Sequence, residues 1–91
     1  MRSVHLRITG RVQGVGYRAW AIETAGRLGL RGWVRNRADG SVEALVIGAD
    51  DPVAAMIEAC REGPFAARVI EVLAGEAADD GSDGFGPRPT V

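Results

Sequence analysis

The hydrophobic period of this chain changes across one glycine-rich link, Gly10 to Gly16. Before the link, Val4, Leu6 and Ile8 alternate with His5, Arg7 and Thr9, the pattern of a half-buried strand. After it, Tyr17, Ala21, Ala25 and Leu28 recur at helical spacing. Gly29 to Gly32 close that helix. Gly32 to Asn36 form a second strand, Asp39-Gly40 a hairpin turn, and Ser41 to Ile47 a third strand. Glu43 assigns Val42, Ala44 and Val46 to the core face, although Leu45 and Ile47 opposite are also apolar. Asp51 as N-cap and Pro52 at the first helical position begin a second helix. Val53, Met56, Ile57 and Cys60 line its buried face, and Gly63-Pro64 ends it. Ala67 to Leu73 makes a fourth strand. Gly75 to Gly84, acidic and glycine-rich, is expected to be a mobile loop, and Gly75 to Ser82 to tolerate shortening. Phe85-Gly86-Pro87-Arg88-Pro89 can pair only at a sheet edge, because proline donates no ladder bond.

This order is a split βαβ unit used twice. It predicts a ferredoxin-like α+β sandwich, βαββαβ, with a four-stranded antiparallel sheet and two helices on one face. A chain of 91 residues with 46% hydrophobic content can fill one core, so one domain over residues 1–91 is expected. Net charge is −1, which puts a nucleic-acid partner, for which a basic face is normally required, at a disadvantage. Every Lys/Arg position is arginine, which removes Schiff-base chemistry and the lysine-containing phosphate loop. The single cysteine, Cys60, allows no internal disulfide and suits a reducing compartment. Met1 to Arg7 has no apolar run of signal-peptide length, and no stretch approaches a membrane span. A soluble cytoplasmic monomer is expected, with no membrane or nucleic-acid partner.

The chemistry points to two segments. In Gly10-Arg11-Val12-Gln13-Gly14-Val15-Gly16-Tyr17-Arg18, glycines let successive amides turn into one concavity at a helix N-terminus, a site for an anion. Arg18 adds a planar fork suited to phosphate. A plain glycine-rich connector with a surface arginine is the bland alternative. Gly14-Val15-Gly16-Tyr17-Arg18-Ala19 also matches a dinucleotide fingerprint. That fingerprint needs an acidic residue at the end of the next strand, and Asn36 stands there. Asn36 in Gly32-Trp33-Val34-Arg35-Asn36 is, taken alone, an ordinary residue before a turn. His5 has no second histidine for a metal site, Cys60 reads as packing, and the serines lack a base partner. Trp20 falls off the helix's core face, and Trp33 belongs either to the open sheet face or to the border of the site. Asp79, Asp80 and Asp83 lack EF-hand spacing.

Together the segments carry more. The run Gly10 to Arg18, the run Gly29-x-x-Gly32-Trp33-Val34-x-Asn36 and the run Asp39-Gly40-x-Val42-Glu43 closely resemble the acylphosphatase family. Gly63-Pro64, Ala67-x-Val69 and Phe85 resemble its second half more weakly, and Gly86-Pro87 departs from it by interrupting the last strand. The resemblance implies hydrolysis of acyl phosphates on a ferredoxin-like fold. It implies that Arg18 binds phosphate and that Asn36 orients the attacking water. The backbone amides of Gln13, Gly14, Val15, Gly16 and Tyr17 would form the phosphate cradle. It implies no metal and no cofactor, and a small-molecule acyl phosphate as the only partner. The residue inventory suits this reaction. A departing carboxylate needs no general acid, so charge compensation and water alignment are the tasks left. An RNA-binding module on the same fold would need aromatics on its first and third strands. Val4 to Thr9 and Ser41 to Ile47 have none. A non-catalytic anion sensor is the other alternative, separated by activity on a model acyl phosphate.

Overall fold

The computed structural model describes all residues from 1 to 91. Strand β1 (Arg2–Arg11) passes through the glycine link into helix α1 (Tyr17–Arg27). Strands β2 (Arg31–Asn36) and β3 (Val42–Gly48) form the hairpin. Helix α2 (Asp50–Glu62) then leads to β4 (Arg68–Glu76) and β5 (Phe85–Pro87). The sheet order is β4-β1-β3-β2-β5. Pairings among the first four strands are antiparallel, as expected.

The sheet has five strands rather than the expected four, because the tail adds an edge strand parallel to β2. Proline permits this because its missing donor lies on the outer side. The bonds that hold the edge bracket Pro87: Gly32 N–H donates to the Gly84 carbonyl, and Arg88 N–H donates to the Val34 carbonyl, both at 2.9 Å.

Val4, Leu6 and Ile8 of β1 and Val42, Ala44 and Val46 of β3 face Tyr17, Ala21 and Ala25 of α1 and Val53, Met56 and Cys60 of α2. Each large side chain buried here contributes about 1.5–3 kcal/mol. The core face of β3 is the one Glu43 indicated, but Leu45 and Ile47 opposite are buried too. Helix α2 starts earlier than expected, with Ala49 as N-cap rather than Asp51. Asp50 and Asp51 occupy the first turn, where their charge complements the helix dipole. Pro52 is tolerated there because the first amides lack intrahelical acceptors; Val53 N–H makes the bond to the Ala49 carbonyl at 3.1 Å. In β4 the register shifts opposite Thr9 and Gly10, so Val72 and Val69 turn to the core while Ile70 is thrust outward.

The segment expected to be a free loop is not free. Gly75 and Glu76 belong to β4. Residues 77–84 run as a strap from one sheet edge to the other across the face away from the helices. Ala77 N–H donates to the Ser3 carbonyl at 2.9 Å, Asp79 pairs with Arg31, and Trp33 Nε1 donates to Asp80 at 3.1 Å. These anchors are on distant strands, so local composition could not reveal them. Trp33 lies on this face under the guanidinium of Arg35, 4.7 Å from its ring centre. Trp20 is half-buried beside Tyr17, with ring centres 5.2 Å apart.

The same face carries a polar cluster around Glu43. Glu43 accepts from Arg35 Nε at 2.7 Å and Arg37 at 3.1 Å, and shares a 2.6 Å contact with His5 Nε2. Burial raises the carboxyl's affinity for a proton, but these three partners outweigh it and hold its pKa at about 2, against an ordinary 4.5. The folded chain therefore binds this proton less tightly than the unfolded chain does. The resulting stabilisation is complete above the unfolded value and is lost as pH falls from 4.5 towards 2. Glu43→Gln should lower stability at pH 7 by about 2 kcal/mol and flatten the acid limb over that range. Urea unfolding at a series of pH values measures both.

Candidate active site

Strands β1 and β2 both pair antiparallel with β3, so they point the same way and finish at the same edge of the sheet. The end of β1 delivers Val12 and the glycine link. The end of β2 delivers Asn36. On β2, Val34 and Asn36 face the helices, while Trp33 and Arg35 face the other side. The interleaved order thus brings the two segments, far apart in sequence, to one place.

Gly14 and Gly16 have φ of 73° and 80°, a left-handed backbone that favours glycine. Gly16 is the N-cap of α1, with no side-chain cap and no acidic residue in the first turn. The first α1 bond runs from Trp20 N–H to the Gly16 carbonyl at 3.0 Å. The preceding amides have no intrahelical acceptor, and the helix dipole makes their position favourable for an anion. Tyr17 is buried, and its hydroxyl donates to the Cys60 carbonyl at 2.7 Å, fastening the start of α1 to the end of α2. Burial and the neighbouring Cys60 push the Tyr17 ionisation far up. Burial likewise raises the Cys60 thiol to about 11, so it is no thiolate nucleophile at neutral pH.

A cavity of about 310 Å³ opens at this edge. Gly14, Gly16, Tyr17 and Arg18 line one side, and Asn36 lines the other. Arg18 is exposed and belongs to none of the ion pairs that engage Arg2, Arg7, Arg31, Arg35, Arg37, Arg61 and Arg88. Asn36 Oδ1 is buried without a hydrogen-bond partner in the protein. Of the residues whose backbone amides are expected in the cradle, Gly14, Gly16 and Tyr17 line the cavity, while the side chains of Gln13 and Val15 are turned from it. Val15 packs on the core, and the Gln13 carboxamide is turned to the hairpin.

Val12, Ala19, Ile22 and Pro87 add apolar wall that sequence reasoning missed. Ile22 was accessible to it, one helical turn beyond Arg18. Pro87 was not, because only the β5 pairing brings it here. No group of three or more His, Cys, Asp or Glu side chains is placed to hold a metal ion. No helix is long and apolar enough to cross a membrane.

Residues 4–87 match the family model described as Acylphosphatase. The chain belongs to the acylphosphatase family. An acylphosphatase of Rhodospirillum rubrum is 50% identical over 91 residues, covering all of both chains. One from Rhodopseudomonas palustris (strain BisB5) is 62% identical over 73 residues, covering 80% of this chain and 74% of that protein. The crystal structure of acylphosphatase from Bacillus subtilis superposes with a TM-score of 0.93 at 32% identity, covering 97% of this chain and 99% of that one. Family membership and the ferredoxin-like frame thus agree with the motif resemblance.

An added Cβ at Gly16 meets no atom within 4 Å, so Gly16→Ala should fold. Its left-handed backbone makes the substitution cost about 1–2 kcal/mol, a fall in Tm of about 4–15 °C for a domain of this size. Thermal melts should show that fall, together with reduced protection by inorganic phosphate, because the cradle relaxes.

Proposed function

We propose that this protein hydrolyses the carboxyl–phosphate anhydride of acyl phosphates, yielding a carboxylate and inorganic phosphate. The observation that carries the proposal is the pairing of an unengaged Arg18 and uncapped α1 amides with Asn36 across one cavity, together with a buried Asn36 Oδ1 that no protein group satisfies. The amides at Gly14 to Tyr17 and the Arg18 guanidinium hold the phosphoryl oxygens. They offset charge that builds there during transfer. The Asn36 amide sits on a separate segment. A buried amide oxygen without a partner is unfavourable by about 1–3 kcal/mol, so an O–H donor arriving with the substrate is stabilised there. Water is that donor, held in line with the departing carboxylate. Its oxygen attacks phosphorus, the bond from phosphorus to the acyl oxygen breaks, and the electron pair leaves on the carboxylate. The water proton passes to a phosphoryl oxygen. The leaving group needs no protonation, since carboxylic acids have a pKa of about 4. The mechanism therefore calls on no cofactor or metal, and a chelator should leave turnover unchanged. The substrate is a small molecule, the protein acts as a monomer, and buried Cys60 suits the reducing cytoplasm.

Hydrolysis of a panel of acyl phosphates, with phosphomonoesters as controls, tests the activity. Arg18→Ala should lower kcat/KM by about 10²–10³. Arg18→Lys should be nearly as damaging, because lysine keeps the charge and loses the fork. Inorganic phosphate should raise the Tm of the wild type much more than that of either variant. Asn36→Ala should lower kcat by about 10² while the inhibition constant for phosphate stays near wild type. Full turnover in Asn36→Ala, or action confined to phosphomonoesters, would overturn the proposal.

A further inference from the structure

Gln13 immediately precedes the cradle glycine Gly14, yet its carboxamide is directed away from the cavity. Both protons of Nε2 are used: one goes to the Arg37 carbonyl at 2.8 Å, the other to the Ser41 carbonyl at 2.9 Å. These carbonyls form the base of the β2–β3 turn, where Arg37 N–H also donates to the Ser41 carbonyl at 2.8 Å. Arg37 follows Asn36 directly. The side chain of Gln13 thus bolts the phosphate-cradle loop to the strand end that carries Asn36. No other side chain makes a hydrogen bond between these two segments.

The remaining ties of Asn36 run elsewhere. It pairs with Val42 in the ladder, and its carbonyl accepts from Val91 N–H at 3.3 Å. Those bonds fix Asn36 within the sheet. They do not fix its distance to the cradle loop. Phosphate capture needs only one contiguous stretch, the amides of the link and Arg18. Water alignment needs two stretches at a set separation. We propose that Gln13 is a positioning residue that sets the separation between cradle and Asn36, and so aims the attacking water at phosphorus. This rests on the roles given above to Arg18 and Asn36. Glutamine is chemically suited to the task, because a two-proton donor is what two converging carbonyls require. A glutamate there would place lone pairs against lone pairs.

The test combines Gln13→Met, Gln13→Glu and the double variant Gln13→Met/Asn36→Ala in the full chain, assayed on an acyl phosphate with inorganic phosphate as competitive inhibitor. Gln13→Met keeps the length and loses both donors. Its kcat should fall about tenfold or more, from misplacement of a reacting group, with the phosphate inhibition constant within about twofold of wild type. In the double variant, Gln13→Met should add little to the loss already caused by Asn36→Ala, since both act through the same water. Gln13→Glu should be at least as slow as Gln13→Met at pH 7. It should recover relative to Gln13→Met as pH falls and the carboxyl gains a proton to donate. A merely structural Gln13 would lower stability, add its full effect in the double variant and show no such recovery. Wild-type kcat in Gln13→Met beside a slow Asn36→Ala overturns the positioning role alone. Wild-type kcat in Asn36→Ala overturns the water-orienting role itself. Equal losses in kcat and phosphate affinity in Gln13→Met also overturn the positioning role, by assigning the side chain to the cradle.

Discussion

Strand β3 pairs antiparallel with β1 on one side and with β2 on the other, which forces both neighbours to end at the same edge of the sheet. That constraint is the source of the site. A strand flanked on both sides and covered on both faces must be nearly all apolar, and β3 is buried along its whole length. Its one charged residue, Glu43, is admitted because Arg35, Arg37 and His5 satisfy it from both neighbouring strands. The central position of β3, the parallel course of β1 and β2, and the meeting of Gly14–Arg18 with Asn36 are one geometric fact seen at three scales.

The charges are sorted by face. Arginines of the sheet face away from the helices are matched by carboxylates: Arg31 by Asp79, Arg35 and Arg37 by Glu43, Arg88 by Asp80. The arginine at the cavity has no such match. A carboxylate beside Arg18 would compete with an anionic ligand and tie up the guanidinium before it arrived. The acidic residues of the strap are therefore spent at a distance from the cavity, and the overall charge of −1 conceals one local positive site.

Local signals were legible in the sequence. The change of period at Gly10 to Gly16 places a strand, a tight link and a helix start, and Asp39-Gly40 places the hairpin. Those elements carry Arg18 and Asn36, and the motif resemblance supplied their pairing before the sheet order did. What was not legible depends on long-range partners. Strand β5 is three residues long, and it exists only because β2 offers an open edge. The strap from 77 to 84 reads as loose by composition, and its anchors are Arg31 and Trp33 on another strand. The separate part played by the Gln13 side chain is not legible either, because its partners are backbone carbonyls that no residue identity announces. The start of α2 was missed by two residues, because Asp50 and Asp51 serve a helix start equally well as caps or as first-turn charges.

Pro87 has a consequence unrelated to catalysis. A sheet rim with a full row of free donors and acceptors is a template onto which another polypeptide can zip. On the β5 side that row is broken, because proline offers no N–H at the outer rim. On the β4 side the register shift at Ile70 interrupts the regular spacing that a docking strand would need to match. The residue that shapes one wall of the cavity on its inner side thus also guards the molecule against fibril-like growth on its outer one.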